Sequence, residues 1–154
     1  MEAKFVNPFL SSLLNVVSTM AQLDLKPQAP RLKKDDVARG DVSGVIGMIG
    51  PTTKGSFSIS FDKSLALEVM SRMVGERPAS INAEVTDMVG EITNMVTGGA
   101  KRLLAVQGYE FNMATPIVVA GPGHTIQHKT DGPKILMEFS SDFGGATIEI
   151  CFDK

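Results

Sequence analysis

The longest periodic segment of the chain, residues 82–106, most constrains what the sequence can fold into. Apolar residues recur there at every third or fourth position over about seven turns, a spacing that predicts an amphipathic helix. Ser80 or Asn82 can cap its start, and Glu84 lies in its first turn. A helix of this length has to bury its apolar side against other elements, so the rest of the chain must supply them.

Two further helices are predicted ahead of this segment. An Asn cap followed by Pro at the first helical position places a helix start at Asn7-Pro8, and apolar residues continue at helical spacing to about Leu23. Residues 64–74 show the same spacing and stop at Gly75, a common helix exit. Residues 26–42 carry prolines and charges of both signs without apolar periodicity, which predicts a solvated connecting loop with at most a short edge strand.

The remaining segments have the composition of strands. Alternation of Phe57, Ile59 and Phe61 with serines, after a turn at Pro51 to Lys54, predicts a hairpin. The strand-like runs are residues 43–50, 55–61, 116–121, 134–140 and 146–152. Helix, hairpin, two helices and a strand-rich final third predict an α+β fold with a largely antiparallel sheet, as a single domain over residues 1–154.

Composition excludes several classes of function. The chain is 43% hydrophobic and 21% charged with a formal net charge of -2, a balance that does not favour nucleic acid as a partner. One cysteine, Cys151, cannot form an internal disulfide, and this fits a reduced compartment. Polar residues interrupt the apolar N-terminal run, and no segment approaches the roughly 20 apolar residues that span a bilayer. We therefore expect a cytoplasmic protein with no membrane segment.

The predicted third helix divides into two sides. At about 100° per residue, the core side is expected to hold Val85, Met88, Val89, Ile92, Val96, Gly99 and Leu103. The opposite, exposed side holds Asp87, Glu91, Asn94, Gly98 and Lys101. Glu91 and Asn94 are neighbours on that side, so a carboxylate and a carboxamide are available to another molecule.

Two glycines inside this helix distinguish its exposed side from an ordinary polar helix face. Each costs about 1 kcal/mol relative to alanine. Gly98 lies one turn beyond Asn94 on the exposed side, where the missing side chain lets a partner approach closely, whereas Gly99 is explained by tight packing on the core side. Met95 borders the polar side and can contribute to docking or simply fill space. A bare Glu-x-x-Asn remains compatible with simple solvation of the helix.

The run Glu91-Ile-Thr-Asn94-Met-Val-Thr-Gly98 resembles the E-x-x-N-M-x-x-G signature of the CheC/CheX/FliY phosphatases. Asn-Pro-Phe at residues 7–9, the glycine-spaced strand at 44–50 with the Ser/Phe strand at 55–61, and Pro-x-Val-Val-x-Gly at 116–121 extend this resemblance over nearly the whole chain. Members with two active-site helices carry E-x-x-N twice. This sequence carries it once and so looks most like CheX.

The resemblance implies a CheC-like fold, in which a long N-terminal helix and two central helices pack on the sheet. It also implies a homodimer joined through the sheet and a phosphatase that hydrolyses the acyl phosphate of a CheY-like response regulator. Asn94 would orient the attacking water, Glu91 would pair with a lysine of the receiver, and Asp87, Met95, Gly98 and Lys101 would contact it. No cofactor or metal is expected on this chain, because the receiver supplies the Mg²⁺.

Alternative functions remain open at this point. The same fold could serve as a binding module, like the middle domain of the flagellar switch protein FliM, that contacts CheY or switch components without hydrolysis. It could also act on a receiver outside chemotaxis. A metal site at His124 and His128 is not favoured because the sequence offers neither a third histidine nor a nearby cysteine, and both are expected at exposed positions.

Overall fold

An eight-stranded sheet supports three helices in the structure, a computed structural model that describes residues 3–153. In chain order the elements are α1 (Ala3–Ala21), β1 (Lys26–Pro27), β2 (Arg31–Lys33), β3 (Val42–Ile49), β4 (Lys54–Phe61), α2 (Lys63–Val74), α3 (Ala83–Val106), β5 (Asn112–Met113), β6 (Ile117–Ala120), β7 (Lys134–Ser140) and β8 (Ala146–Phe152). The sheet runs β1-β7-β8-β4-β3-β5, with β2 also on β7 and β6 also on β3, and every pairing is antiparallel. The predicted α+β fold is confirmed.

Most of the predicted elements are present close to their expected bounds. The hairpin is β3 and β4, and the three C-terminal runs are β6, β7 and β8. Helix α2 ends at Gly75 in the left-handed conformation (φ 86°), and α3 begins after an Asn82 cap. The two-residue strand β5 was not predicted, because it has no alternation to detect. In the described part of the chain, no helix is long and apolar enough to cross a membrane.

Helix α1 begins ahead of the predicted start at Asn7-Pro8, so that part of the prediction is wrong. Pro8 lies inside the helix, where it removes one backbone donor. The extra turn is stabilised by tertiary packing, since the Phe5 ring lies 5.0 Å from the Tyr109 ring and 4.6 Å from that of Phe152. Such long-range aromatic contacts outweigh the local signal of an Asn-Pro pair.

Residues 26–42 are more ordered than a solvated loop. Both β1 and β2 pair with β7, and Lys33 is buried at the end of β2. Its ammonium group lies 2.7 Å from Glu149 Oε2, and both side chains are fully buried. A charge buried in this way needs an opposite charge beside it, and that partner comes from β8, more than a hundred residues along the chain.

The second face of the sheet carries polar residues beneath the segment 121–133. His128 Nε2 lies 3.1 Å from Glu149 Oε1 and its other ring nitrogen 2.6 Å from Ser56 Oγ, while His124 Nε2 lies 2.7 Å from Ser43 Oγ. The expectation that the two histidines are exposed is therefore wrong. They hold the segment on the sheet through hydrogen bonds that the sequence pattern does not reveal.

Glu149 is the charged centre of this second face. Burial alone would raise the pKa of Glu149, but hydrogen bonds from His128 and Lys33 outweigh burial and hold the pKa below its usual range. The carboxylate is therefore ionised at neutral pH although it lies inside the protein.

The main apolar core lies between the other face of the sheet and the helices. Phe9 of α1 stacks on Phe57 of β4 with 4.6 Å between ring centroids. Ser12 Oγ of α1 donates to the Val96 carbonyl of α3 at a distance of 2.7 Å, which joins the two helices through a buried hydrogen bond. This core holds α3 against the sheet along most of its length.

Candidate functional site

Helix α3 is held firmly along its buried side. Its first turn is capped by Asn82, whose Oδ1 accepts from the Val85 amide at 3.0 Å. The buried threonines Thr93 and Thr97 bond to backbone carbonyls one turn earlier, at 2.7 and 2.8 Å, so neither hydroxyl is left unsatisfied. A side chain added at Gly44 of β3 would overlap Thr93, which shows how closely the helix lies on the sheet.

One residue of the predicted core side is misplaced. Leu103 is 43% exposed, whereas Leu104, which was not assigned to that side, is fully buried. Leu103 lines an open groove beside α1, whereas Leu104 belongs to the buried apolar core. Periodicity alone could not tell which of two adjacent leucines the neighbouring elements cover. The other predicted side chains of that side, Val85, Met88, Val89, Ile92 and Val96, are buried.

The exposed side of α3 carries the candidate site. Asp87, Glu91 and Asn94 are exposed, while Gly98 and Lys101 are partly exposed, as predicted. Within the described residues, neither Glu91 nor Asn94 has a hydrogen-bond or ion-pair partner. Because the two lie three residues apart on one helix face, their side chains are neighbours. A carboxylate and a carboxamide are thus held side by side on a rigid surface.

The two glycines of α3 have opposite surroundings. A Cβ at Gly98 would meet nothing nearer than 3.9 Å, the distance to Arg102 Nη1. A Cβ at Gly99 would overlap the Ser12 side chain of α1, which confirms the predicted tight packing at that position. Gly98 therefore leaves the exposed side flat one turn after Asn94. Met95, between the two sides, is half-buried and packs against the core.

The chemical capacity of this surface follows from its groups. The Asn94 amide can donate and accept at once without becoming charged, and the Glu91 carboxylate accepts only. No group of residues in the described part of the chain has the composition of a metal site. Shallow grooves flank the helix, one of them of about 540 Å³ beside Lys101 and the β3–β4 turn. The surface is open and suits a macromolecule better than a small molecule enclosed in a pocket.

Arg102 was not singled out from the sequence, although it belongs to this surface. It follows Glu91 by eleven residues, which is close to three helical turns and places it on the same side. Its guanidinium group lies beside both glycines. The sequence signal for Arg102 is the same helical spacing that placed Lys101 on the exposed side. The two residues lie at opposite edges of that side, and only the edge with Lys101 was predicted.

A family model described as chemotaxis phosphatase CheX matches residues 42–140, which include the whole of α3 with Glu91 and Asn94. The chain belongs to this CheX family. The match confirms the resemblance seen in the sequence, and it covers the hairpin, both central helices and most of the strands that follow. The search of curated proteins found no match.

Solved structures agree with the family and the fold. The chain is 68% identical to the chemotaxis protein CheX of Vibrio vulnificus, with 97% of this chain and 99% of that one covered and a TM-score of 0.92. It is 65% identical to a CheC-like superfamily protein of Shewanella sp. PV-4, with both chains fully covered and a TM-score of 0.94. A CheX–CheY–BeF3–Mg²⁺ complex from Borrelia burgdorferi shares the fold at 24% identity and a TM-score of 0.82, covering 97% and 98% of the two chains.

Proposed function

We propose that this protein hydrolyses the acyl phosphate of a phosphorylated CheY-like receiver, with Asn94 and Glu91 as its catalytic residues. One observation carries the proposal: a carboxylate and a carboxamide stand side by side, unpaired within the described residues, on the exposed face of a rigid helix. Membership of the CheX family supports phosphatase activity, and the CheX of the Borrelia burgdorferi complex was captured with CheY.

Hydrolysis of an acyl phosphate asks little covalent chemistry of the protein. Water attacks phosphorus in line and the bond from phosphorus to the receiver's aspartate oxygen breaks. The aspartate carboxylate is regenerated on the receiver, and inorganic phosphate leaves with the oxygen of the water. Catalysis is then a matter of placing the water and stabilising charge. Asn94 can accept a hydrogen bond from that water through its carbonyl oxygen and donate from its amide to a phosphoryl oxygen, which holds the water in line.

Glu91 serves a different purpose in the proposal. Its carboxylate pairs with a lysine of the receiver and so aligns the two surfaces around Asn94. The Mg²⁺ is held by the receiver, so this chain needs to supply no metal ligand. The open surface around Gly98 fits such an arrangement, because the complete site forms only when α3 is inserted into the receiver's phosphorylation pocket.

We further propose that two copies associate through the sheet and that the protein acts in the cytoplasm, where its receiver is found. Strand β6 pairs only with β3 among the described residues, so its other edge is free to accept a strand. Ile117 on this strand is 67% exposed, so an apolar side chain is available for contact at this edge. A non-catalytic module that binds CheY or the flagellar switch is the rival proposal, and it does not explain why Glu91 and Asn94 occur together on the exposed side of α3.

The decay of a phosphorylated CheY-type receiver in Mg²⁺ tests the proposal. The wild-type protein should shorten the lifetime of the phosphoryl group, and Asn94→Ala should lose about 100-fold or more of the added rate, because the water is no longer oriented. Asn7→Ala is the matched control, since it removes an exposed asparagine of α1 that lies away from α3. It should retain full activity.

The rival makes the opposite prediction for the same assay. A binding module leaves the lifetime of the phosphorylated receiver unchanged, or lengthens it by protecting the phosphoryl group. If wild-type protein binds the receiver with that result, or if Asn94→Ala is as active as Asn7→Ala, the proposed phosphatase mechanism is wrong. Equal melting temperatures of the two variants would exclude a loss caused by unfolding.

A further inference from the structure

Arg102 differs from the other arginines of this protein. The chain has five arginines, all within the described residues 3–153. Four of them, Arg31, Arg39, Arg72 and Arg77, form an ion pair with a carboxylate of this chain. Arg102 forms no ion pair or side-chain hydrogen bond with any described residue, so its five donors are open to another molecule.

The surroundings of Arg102 leave it room to bind. Its Nη1 and Nη2 atoms lie 3.9 and 3.7 Å from where a Cβ would stand on Gly98 and Gly99, so the two glycines leave space for the guanidinium group on the helix surface. Beside it, a groove of about 290 Å³ runs between α1 and α3. Two exposed polar side chains, Ser11 and Asn15, line the α1 wall of this groove and can add donors for an anion.

Charges on the exposed side of α3 are separated along the helix. Asp87 and Glu91 lie in its first half, and Lys101 and Arg102 lie in its second half. At 1.5 Å per residue, Glu91 and Arg102 are about 17 Å apart along the axis. A partner that pairs with both must present a cation and an anion at that separation, and this fixes the direction in which it lies along α3.

We propose that Arg102 and the groove beside it bind an acidic side chain of the receiver and thereby set the orientation in which the receiver docks on Asn94. The inference rests on the proposed function, because the receiver is the partner that brings its phosphorylation pocket to Glu91 and Asn94. A guanidinium group fits a carboxylate with two parallel hydrogen bonds, which gives direction as well as attraction. Arg102 is thus a positioning residue and does not contact the phosphoryl group.

The test is a binding titration with a CheY-type receiver loaded with beryllofluoride and Mg²⁺, which mimics the phosphorylated state without turning over. Arg102→Glu should weaken binding by about 10-fold or more, because it places a like charge against the receiver's carboxylate. Arg102→Gln, which keeps the length and loses the charge, should weaken it less. The affinity of the wild type should also fall more steeply with added salt than that of Arg102→Glu.

Two controls distinguish loss of the Arg102 contact from a general effect of net charge on binding. Lys34→Glu makes the same change in net charge at an exposed position just after β2, at the far edge of the sheet from β3 and α3. Its affinity should match that of the wild type. Replacing the receiver's acidic residues by lysine one at a time should yield one variant that binds Arg102→Glu better than it binds the wild-type protein, which would identify the partner of Arg102.

The outcomes distinguish this inference from the proposed function. If Arg102→Glu binds as tightly as the wild type, or if Lys34→Glu is weakened equally, Arg102 does not orient the receiver and the inference is wrong even when the phosphatase is active. If the wild type binds but does not speed loss of the phosphoryl group, the proposed function fails, while the affinities of the Arg102 variants still decide the inference. Unchanged melting temperatures would show that the variants are folded.

Discussion

Adding a side chain at Gly98 is expected to make the protein more stable and less active. A glycine inside a helix costs about 1 kcal/mol relative to alanine. A Cβ at Gly98 would find no atom nearer than 3.9 Å, so Gly98→Ala should recover about 0.5–1 kcal/mol without a clash. For a chain of this size that corresponds to a rise in melting temperature of about 1–4 °C.

Gly98→Met extends the same argument to docking. Methionine is a good helix former, so stability should rise nearly as much as with alanine. The longer side chain, however, covers the flat surface one turn beyond Asn94, against which the receiver is proposed to lie. We expect the KM for the phosphorylated receiver to increase at least about 10-fold, because the partner must now shift away from α3 or displace the side chain.

Gly99→Ala serves as a control, because a loss of stability is expected at this neighbouring glycine. A Cβ at Gly99 would overlap the Ser12 side chain, whose hydroxyl donates to the Val96 carbonyl. Overpacking of this kind costs about 1–3 kcal/mol, more than the helix propensity gained. Gly99→Ala should therefore melt at a lower temperature than the wild type.

Thermal unfolding followed by far-UV circular dichroism, together with the receiver dephosphorylation assay, measures both effects. If Gly98→Ala melts below the wild type, the surface at Gly98 is not open and the structural reasoning is wrong. If Gly98→Met dephosphorylates the receiver as well as the wild type does, this part of α3 is not a docking surface. Neither result depends on the outcome at Gly99.

Two further changes test the second face and the edge of the sheet. Lys33→Met should lower the free energy of unfolding at pH 7 by about 3–5 kcal/mol in urea denaturation, because the charge of Glu149 stays buried without its ammonium partner. In the wild type the lowered pKa of Glu149 contributes stability above the ordinary pKa of a glutamate, and this stability is lost as pH falls through the folded value. Lys33→Met removes one of the two groups that hold this pKa down, so the stability deficit of the variant should shrink on acidification, and an equal deficit at neutral and mildly acidic pH would contradict this. Ile117→Asp should convert a wild-type dimer into a folded monomer in light scattering, and a monomeric wild type would refute association through β6.

Local sequence patterns predicted the structure correctly where it depends on residues close together in the sequence. The cap at Asn82, the exit at Gly75 and the alternation along β4 each depend on residues within a few positions. The exit and the alternation were predicted, and Asn82 was one of the two cap residues considered. The exposed placement of Glu91 and Asn94 follows from the same reasoning, because a rigid helix converts spacing into direction. Their catalytic roles are a separate prediction that awaits the dephosphorylation assay.

Contacts between distant parts of the chain account for what was missed. The first turn of α1 is stabilised by Tyr109 and Phe152, and the burial of Lys33 depends on Glu149. In both cases the local sequence suggested the opposite of what the fold adopts. The Asn7-Pro8 pair is typical of a helix start, and a charged stretch such as residues 26–42 usually remains in water. Such placements depend on which strand lies beside which, and a single sequence does not carry that information.

The openness of the candidate site has a consequence for how a receiver is recognised. Exposed ion pairs contribute about 0–1 kcal/mol each, so the proposed pair made by Glu91 falls far short of the roughly 8 kcal/mol that a micromolar complex requires. Catalysis by Asn94 depends on placement to within a fraction of an ångström. Affinity and alignment must therefore come from the surface around the two residues. The flat surface at Gly98 offers contact area for affinity. The guanidinium group of Arg102, which has no ion-pair partner among the described residues, offers alignment, because two parallel hydrogen bonds to a carboxylate fix an orientation. On this reasoning, substitutions of Arg102 should change the preference of the protein among related receivers more readily than substitutions of Asn94.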